Sequence, residues 1–351
     1  MSTETAGAPR YPRDVTRAGI KDVATLAGVS LGTVSNYINH PQRVSAEKSE
    51  RIQRAIDQLG YVRDSAAFQL RSGRSGAIAY LAPDVSNPFF ATIAEGVEES
   101  ASALGLSVLI ANANRSRARE DAYLEQFRSQ RVQGVLVASH EPIEERLTAL
   151  RARGIPSVLV GQAGRSAEQP SVSVDEVEGG RLAVEHLLAT GRRRIAYIGG
   201  PLNVHQVAER LEGAASAVAA VPDASLEVVN IADRTIQGGR AAGLQLAARP
   251  AASRPDGVFA VNDLTALGIL QALHESGVRV PEEVGLIGYD AIEFGEASLV
   301  PLSTIRTPQR GFGAAAVEML FAAMNGDPIA EPRLVYAPEL VARRSTGADP
   351  A

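Results

Sequence analysis

An alternation restricts this chain more than any other feature. GAIAYLAP (residues 76–83), LSVLIANA (106–113), GVLVAS (134–139) and PSVLVG (156–161) are apolar runs of strand length. Between them lie helix-length amphipathic stretches such as NPFFATIAEGVEESASAL and REDAYLEQFRSQR. Strands that are apolar along their whole length and separated by helices belong in a parallel sheet covered on both faces. The alternation then restarts: RRIAYIGGP (193–201) echoes GAIAYLAP and is followed by LEVVNIA, GVFAVND and VGLIGYD. Two such arrays predict two doubly wound parallel-sheet subdomains, with the cleft between them as the natural ligand site.

The first quarter of the chain has a different texture. Residues 18 to about 62 hold short helical patterns: Val23, Leu26 and Ala27 on one face, Val34 and Ile38 four apart, then Ile52, Ile56 and Leu59. Ser45 precedes AEKSERIQRAI as a partial cap, because Lys48 stands where a capping-box acid would sit. At 351 residues the chain is long for one core, and a small helical module before a larger α/β body satisfies that prior. The net charge of −5 hides an asymmetry, since residues 1–76 carry eleven Lys and Arg against seven Asp and Glu, whereas the remainder carries twenty-four against thirty-three. A basic head on an acidic body suits a module that meets phosphates. Residues 1–17 are polar and read as a flexible tail. The first twenty residues lack the apolar centre of a secretory signal, no apolar run nears ~20 residues, and cysteine is absent. The expectation is a cytoplasmic protein without disulfides, thiolate metal sites or cysteine nucleophiles.

VATLAGVSLGTVSNYIN (23–39) admits two readings. GVSLG satisfies the G-x-S-x-G pattern of a hydrolase nucleophile elbow, with Ser30 as nucleophile. An elbow needs a strand before the serine, however, and IKDVATLA carries helix periodicity. The helix-turn-helix reading explains more residues. Ala24 and Ala27 allow a close helix crossing, Gly28 makes the turn, Val29 and Val34 pin the pair, and Ser30 caps the second helix. Its first turn and a half then presents Leu31, Gly32, Ser35 and Asn36 to base edges.

At this point the chain resembles a known family. IKDVATLAGVSLGTVSNYINHPQRVSAEKSERIQRAIDQLGYV is similar to the N-terminal domain of the LacI family of bacterial transcription regulators, whose pattern DVA-x-x-AGVS-x-x-TVS-x-x-IN it follows, and the β/α body continues the resemblance from about residue 19 to 346. The implied fold is an all-α helix-turn-helix DNA-binding domain (18–63), a hinge (64–75) and an α/β effector-binding and dimerisation domain (76–346) like the periplasmic sugar-binding proteins. Its N-subdomain would span about 76–177 and 307–336, its C-subdomain about 178–306 and 337–346. The resemblance places base reading on Leu31, Gly32 and Asn36. Asn36 can pair with adenine or accept from cytosine, Leu31 offers only apolar contact, and Gly32 offers no side chain. Ser30, Thr33, Ser35 and Asn39 match phosphate contacts, and Tyr61 packs the small domain and can touch the DNA backbone.

DSAAFQLRSGRS (64–75) matches the family's hinge helix, which folds on operator DNA beside its twin from a second subunit and wedges Leu70 into the minor groove. Ala67 would permit the close approach, and Arg71 and Arg74 would meet phosphates. Arg63 replaces the usual proline. In the body, the positions matching effector contacts are Asn87, Phe89, Phe90, Asp175, Arg210, Asn262 and Asp290. Arg210 would donate as a fork, Asp290 would accept from adjacent hydroxyls, Asn262 would do both, and a phenylalanine would stack on a sugar ring. Of Phe89 and Phe90 only one is expected to face the cleft, and Asp175 is alternatively a hinge contact. Arg234 stands where some members carry an aromatic, which puts one stacking wall in doubt.

The expected protein is a homodimeric repressor of a pseudo-palindromic operator, governed by a small effector, with a sugar favoured over a purine or other corepressor. A cytoplasmic sugar-binding receptor and an enzyme on the same body are the competing classes. No catalytic residue, cofactor, metal site or membrane contact is expected. The Asn114-Arg-Ser sequon has no secretory route to give it meaning, no histidine has metal spacing, and no leucine heptad follows residue 335 to form a tetramer coil.

Overall fold

A computed structural model describes residues 18–61, 76–166 and 168–347. The expectations for the tail and for residues 64–75, including Ala67, Leu70, Arg71 and Arg74, lie outside them. The chain divides into two compact units, Met1–Gly73 and Arg74–Ala351.

The first unit is helical: α1 (Ile20–Ala27), α2 (Leu31–Asn39) and α3 (Ala46–Leu59). Its core is small. Val23, Ala24 and Ala27 of α1 meet Val34 of α2 and Ile52 and Ala55 of α3, with Val29, Ile38, Ile56, Leu59 and Tyr61 packed around them. Ser45 is the residue before α3, and its side chain makes no capping bond.

The second unit holds two parallel sheets. β1 (Ala77–Ala82), β2 (Ser107–Asn112), β3 (Val135–Val137), β4 (Ser157–Val160), β5 (Ser171–Val174) and β11 (Arg333–Tyr336) form the first, in the order β11-β5-β4-β3-β1-β2. β6 (Arg194–Gly199), β7 (Ser225–Asn230), β8 (Gly257–Ala260) and β9 (Gly285–Ile287) form the second, in the order β7-β6-β8-β9. β10 (Thr304–Arg306) and β12 (Glu339–Val341) pair antiparallel. Because strand side chains alternate, each apolar run feeds two cores. From β1, Ile78, Tyr80 and Ala82 enter the core under α4 (Pro88–Ala103) and α12 (Gln309–Asn325). Ala79 and Leu81 enter the opposite one, under α5 (Arg117–Ser129) and α6 (Glu144–Arg151). The second sheet repeats the plan, with α7 (Glu176–Ala189) and α8 (His205–Ala219) on one face and α9 (Ile236–Ala247) and α10 (Asp263–Glu275) on the other, and the short α11 (Glu293–Glu296) follows β9. Each large side chain so buried contributes about 1.5–3 kcal/mol.

The chain passes between the sheets three times: from β5 to α7, from β10 to α12, and from β11 to β12. The strands 171–174, 304–306, 333–336 and 339–341 were not among the runs picked out from the sequence. They are three or four residues long and carry Ser, Thr, Arg or Glu, so no apolar run marks them. β2 departs from expectation in another way, for Leu109 and Ile110 are 37% and 52% exposed at the edge of the first sheet.

Candidate functional site: an exposed helix start and a cleft between two sheets

In the helical unit, Gly28 ends α1 in the left-handed region (φ 63°) and turns the chain. Val29 N donates back to Ala24 O (3.1 Å), and Ser30 follows in extended conformation. Ser30 Oγ accepts from Thr33 N (3.1 Å) and shares a hydrogen bond with the Thr33 hydroxyl (2.8 Å), which caps α2. Ser30 therefore sits between two helices, and no nucleophile elbow is built. Val34 is buried, whereas Leu31 (45% exposed), Gly32 and Asn36 face outward from the first turns of α2. Thr33 and Ser35 are half-buried, Asn39 is the last residue of α2, and Tyr61 packs against the core. A helix start carries partial positive charge and unpaired amides, so this exposed end suits a polyanion. Arg51, to which the sequence reading gave no role, fixes the turn from α3: its Nη2 donates to Ala27 O (2.6 Å) and Gly28 O (3.1 Å).

In the α/β unit, the loops at the carboxyl ends of the strands of both sheets enclose a cavity of about 250 Å³. Asn87, Phe89, Phe90, Arg210, Asn262 and Asp290 all line it. Asp175 does not: it lies at the β5–α7 passage, where its Oδ1 caps α7 by accepting from Glu178 N (2.9 Å). The next residue, Glu176, reaches the cavity instead. Both phenylalanines line the cavity, packed edge to face at 5.0 Å, rather than one facing in and one away.

Helix packing sets the charged centre. Gly180 of α7 and Gly213 of α8 let the two backbones touch, since a Cβ on Gly180 would fall 2.1 Å from Arg210 O. That approach aligns Arg210 with Glu176. Its Nε and Nη2 donate to the two carboxylate oxygens (2.7 and 3.1 Å), and its Nη1 donates to Val261 O (2.6 Å). The guanidinium stacks 3.5 Å above the Tyr289 ring, and Nη2 lies 3.9 Å from Asp290 Oδ1. Arg210 thus spends its fork on Glu176, and only its remaining N–H groups are left for a ligand. Burial opposes its charge, yet Glu176, Tyr289 and Asp290 raise its pKa further. Burial pushes the Asp290 carboxyl well above the usual range despite Arg210. Its backbone is also strained, at φ 104°, a cost of ~1–3 kcal/mol. Asn87 and Asn262 each cap a helix through Oδ1, and Asn262 Nδ2 donates to Arg234 O (3.3 Å).

Among the described residues, polar contacts join the two sides of the cleft, Gln309 Nε2 donating to Asp290 O where the chain passes between the sheets and three others lying across the opening. Arg234 Nη2 donates to His140 Nδ1 (2.9 Å), Arg115 pairs with Asp233 (3.2 Å), and Gln206 Nε2 donates to Gly161 O (3.0 Å). Arginine has no acceptor, so His140 Nδ1 bears the lone pair and the neutral ring carries its hydrogen on Nε2. Burial, then Arg234, Arg115 and Arg210, push the His140 pKa down to about 3.

Comparison with known proteins matches both units. Residues 19–64 match the family described as bacterial regulatory proteins, lacI family, and residues 184–346 match the periplasmic binding protein-like domain. The ribose operon repressor of Escherichia coli (strain K12) is 33% identical over 335 residues, which span 93% of this chain and 99% of that protein. The chain belongs to the LacI family.

By that membership it is a DNA-binding regulator of transcription, and the enzyme reading falls away. The transcriptional repressor PurR of Vibrio atlanticus (strain LGP32) is 31% identical over 93% of this chain and 98% of its own. A lac repressor dimer bound to operator and an anti-inducer superposes with a TM-score of 0.82 at 27% identity, covering 95% of this chain and all of that one. A complex of the regulator CelR with cellobiose superposes at 0.68 with 32% identity, covering 94% and 100%. Within this LacI-family chain, sequence reading missed Glu176, His140, Arg115 and Gln206. Glu176 is one residue from a position that was named, and only the helix phase of α7 separates the two. Arg115 sits inside the sequon set aside as meaningless, where Asn114 and Arg115 both take positive φ (50° and 56°) to turn the side chain toward Asp233.

Proposed function

We propose that this regulator is a homodimeric repressor of a pseudo-palindromic operator whose grip depends on a small sugar-class effector in the cleft. The observation that carries this is one chain holding both a helix start left open to solvent and a cavity lined by hydrogen-bonding side chains from two sheets. Leu31 and Asn36 would read bases while Ser30, Thr33, Ser35, Asn39 and Tyr61 contact the DNA backbone. Ala67, Leu70 and Arg71 would serve the hinge. Asn87, Phe89, Phe90, Arg210, Asn262 and Asp290 would hold the effector, with phenylalanine against a ring and Asp290 accepting from hydroxyls. Dimerisation is supported by the apolar side chains left on both sheet edges, Leu109 and Ile110 on β2 and Val228 on β7, because exposed apolar edge strands invite a partner. A sugar is supported by the ribose operon repressor among the relatives and by the CelR structure with cellobiose. A repressor of this kind acts in the cytoplasm. Among the described residues no helix is long and apolar enough to cross a membrane.

Selection of binding sites from random duplex DNA with the full chain tests the reading. The expected product is two related half-sites about a dyad, bound with an affinity that falls steeply with salt. Leu31→Ala should change base preference at one position in each half-site. Selection of unrelated sequences, or of a single undivided site, would count against it.

A further inference from the structure

Among the described residues, one guanidinium in the cleft has no carboxylate within ion-pair distance. Arg210 is matched by Glu176, and Arg115 by Asp233 and Asp84. Arg234 has no ion pair among the described residues. Its two hydrogen bonds go to neutral acceptors, Gly200 O (2.9 Å) and His140 Nδ1 (2.9 Å). The carboxylate next to it in sequence, Asp233, is spent on Arg115. A partly buried guanidinium without a counter-charge is expensive, because two neutral acceptors replace only part of the water that desolvation removes. Burial first, then the nearby Arg210 and Arg115, push the Arg234 pKa down to about 10, a direction an adjacent anion would reverse.

The surroundings reinforce the imbalance. Arg234 precedes Thr235, the cap of α9, and both line the cavity with Ile236 and Gln237 of that helix's first turn. The first amides of a helix lack intrahelical partners, and the Thr235 hydroxyl takes up only that of Gly238 (3.1 Å). A guanidinium and a helix start therefore converge on one wall, while Phe89 and Phe90 form an apolar wall.

We propose that the effector of this cleft carries an anionic group, a carboxylate or a phosphate, which docks on Arg234 while the rest of the molecule meets the phenylalanines. The proposal rests on the effector-cleft reading above and narrows it from neutral sugars to acidic sugar derivatives. An arginine in this place would exchange a flat stacking surface for a planar donor that meets two oxygens of one anion.

Titration calorimetry of the full chain with matched compounds tests it. D-gluconate and D-galacturonate supply carboxylates, glucose 6-phosphate and ribose 5-phosphate supply phosphates, and glucose, galactose and ribose are the neutral parents. An acid of one arm should bind at least about tenfold more tightly than its parent, the smallest difference a charge-assisted bond gives. Which arm binds distinguishes carboxylate from phosphate. Arg234→Gln should remove that preference, Arg234→Lys should keep part of it, and raising salt should weaken the acid but not the parent in the unaltered protein. The salt series keeps the test decisive if a variant folds poorly. A parent that binds as tightly as its acid, or an acid indifferent to Arg234→Gln, overturns the anion site and leaves the effector cleft standing. Binding by none of the seven compounds overturns the anion site and counts against a sugar-class effector, while DNA selection still judges the repressor reading separately.

Discussion

Gly28→Ala strikes the turn that leads into α2, and its cost can be worked from two structural terms. At φ 63° an alanine bears the left-handed penalty of about 1–2 kcal/mol. Its Cβ would also lie 2.5 Å from Arg51 Nη2, so the guanidinium must leave the Ala27 and Gly28 carbonyls. Hydrogen bonds to a charged donor are worth ~1.5–3 kcal/mol, and Arg51 is half exposed, so about 1–2 kcal/mol is expected for their loss. The sum is about 2–4 kcal/mol, in a helical unit of roughly 45 residues whose whole stability at ~0.05–0.15 kcal/mol per residue is only ~2–7 kcal/mol. Hydrogen exchange of peptides covering residues 20–39, measured on the DNA-free full chain, reads the opening free energy directly. Arg51→Met alone should cost about 1–2 kcal/mol, because it loses the bonds without the strain. The double variant should cost no more than Gly28→Ala alone, giving a coupling of about 1–2 kcal/mol. Additivity within ~0.5 kcal/mol would refute the idea that Arg51 and the glycine act as one device.

Glu176→Ala leaves Arg210 buried without its partner, so the α/β unit should lose about 3–5 kcal/mol in urea denaturation followed by circular dichroism, with a smaller loss for Glu176→Gln; a loss below ~1 kcal/mol would contradict the buried pair. His140 is held neutral in the fold, with its pKa depressed from 6.5 to about 3, so its contribution is present above pH 6.5 and lost as pH falls through that window. By pH 5 that contribution has fallen by about 2 kcal/mol; His140→Gln, which keeps an acceptor for Arg234, should lose about 2 kcal/mol less than the unaltered protein between pH 7 and 5, since the buried carboxyls titrate alike in both, and identical profiles would count against it. Ile110→Arg should convert dimer to monomer in sedimentation at micromolar concentration, and an unchanged dimer would remove β2 from the interface.

What could be read in advance follows from how residues signal. Fully buried strands announce themselves by unbroken apolar runs, so β1, β3, β4, β6 and β8 were visible. β5 was not, because Ser171 and Ser173 occupy buried positions. The turn at Gly28 was legible because glycine after a helical pattern has a conformational meaning, whereas the Arg51 contact joins residues more than twenty apart and has no local mark. In the cleft, the polar side chains at strand ends were found by type. Their pairing was not, since whether Arg210 meets a ligand or Glu176 depends on two glycines that set the distance between α7 and α8.

If cleft and DNA share one equilibrium, each partner must change the protein's affinity for the other. Operator affinity with and without a saturating cleft ligand, and ligand affinity with and without operator, measured on the same protein, should change by equal and reciprocal factors of ~5–150, both abolished by Asp290→Ala. An operator affinity indifferent to a ligand that demonstrably fills the cleft would contradict the shared equilibrium.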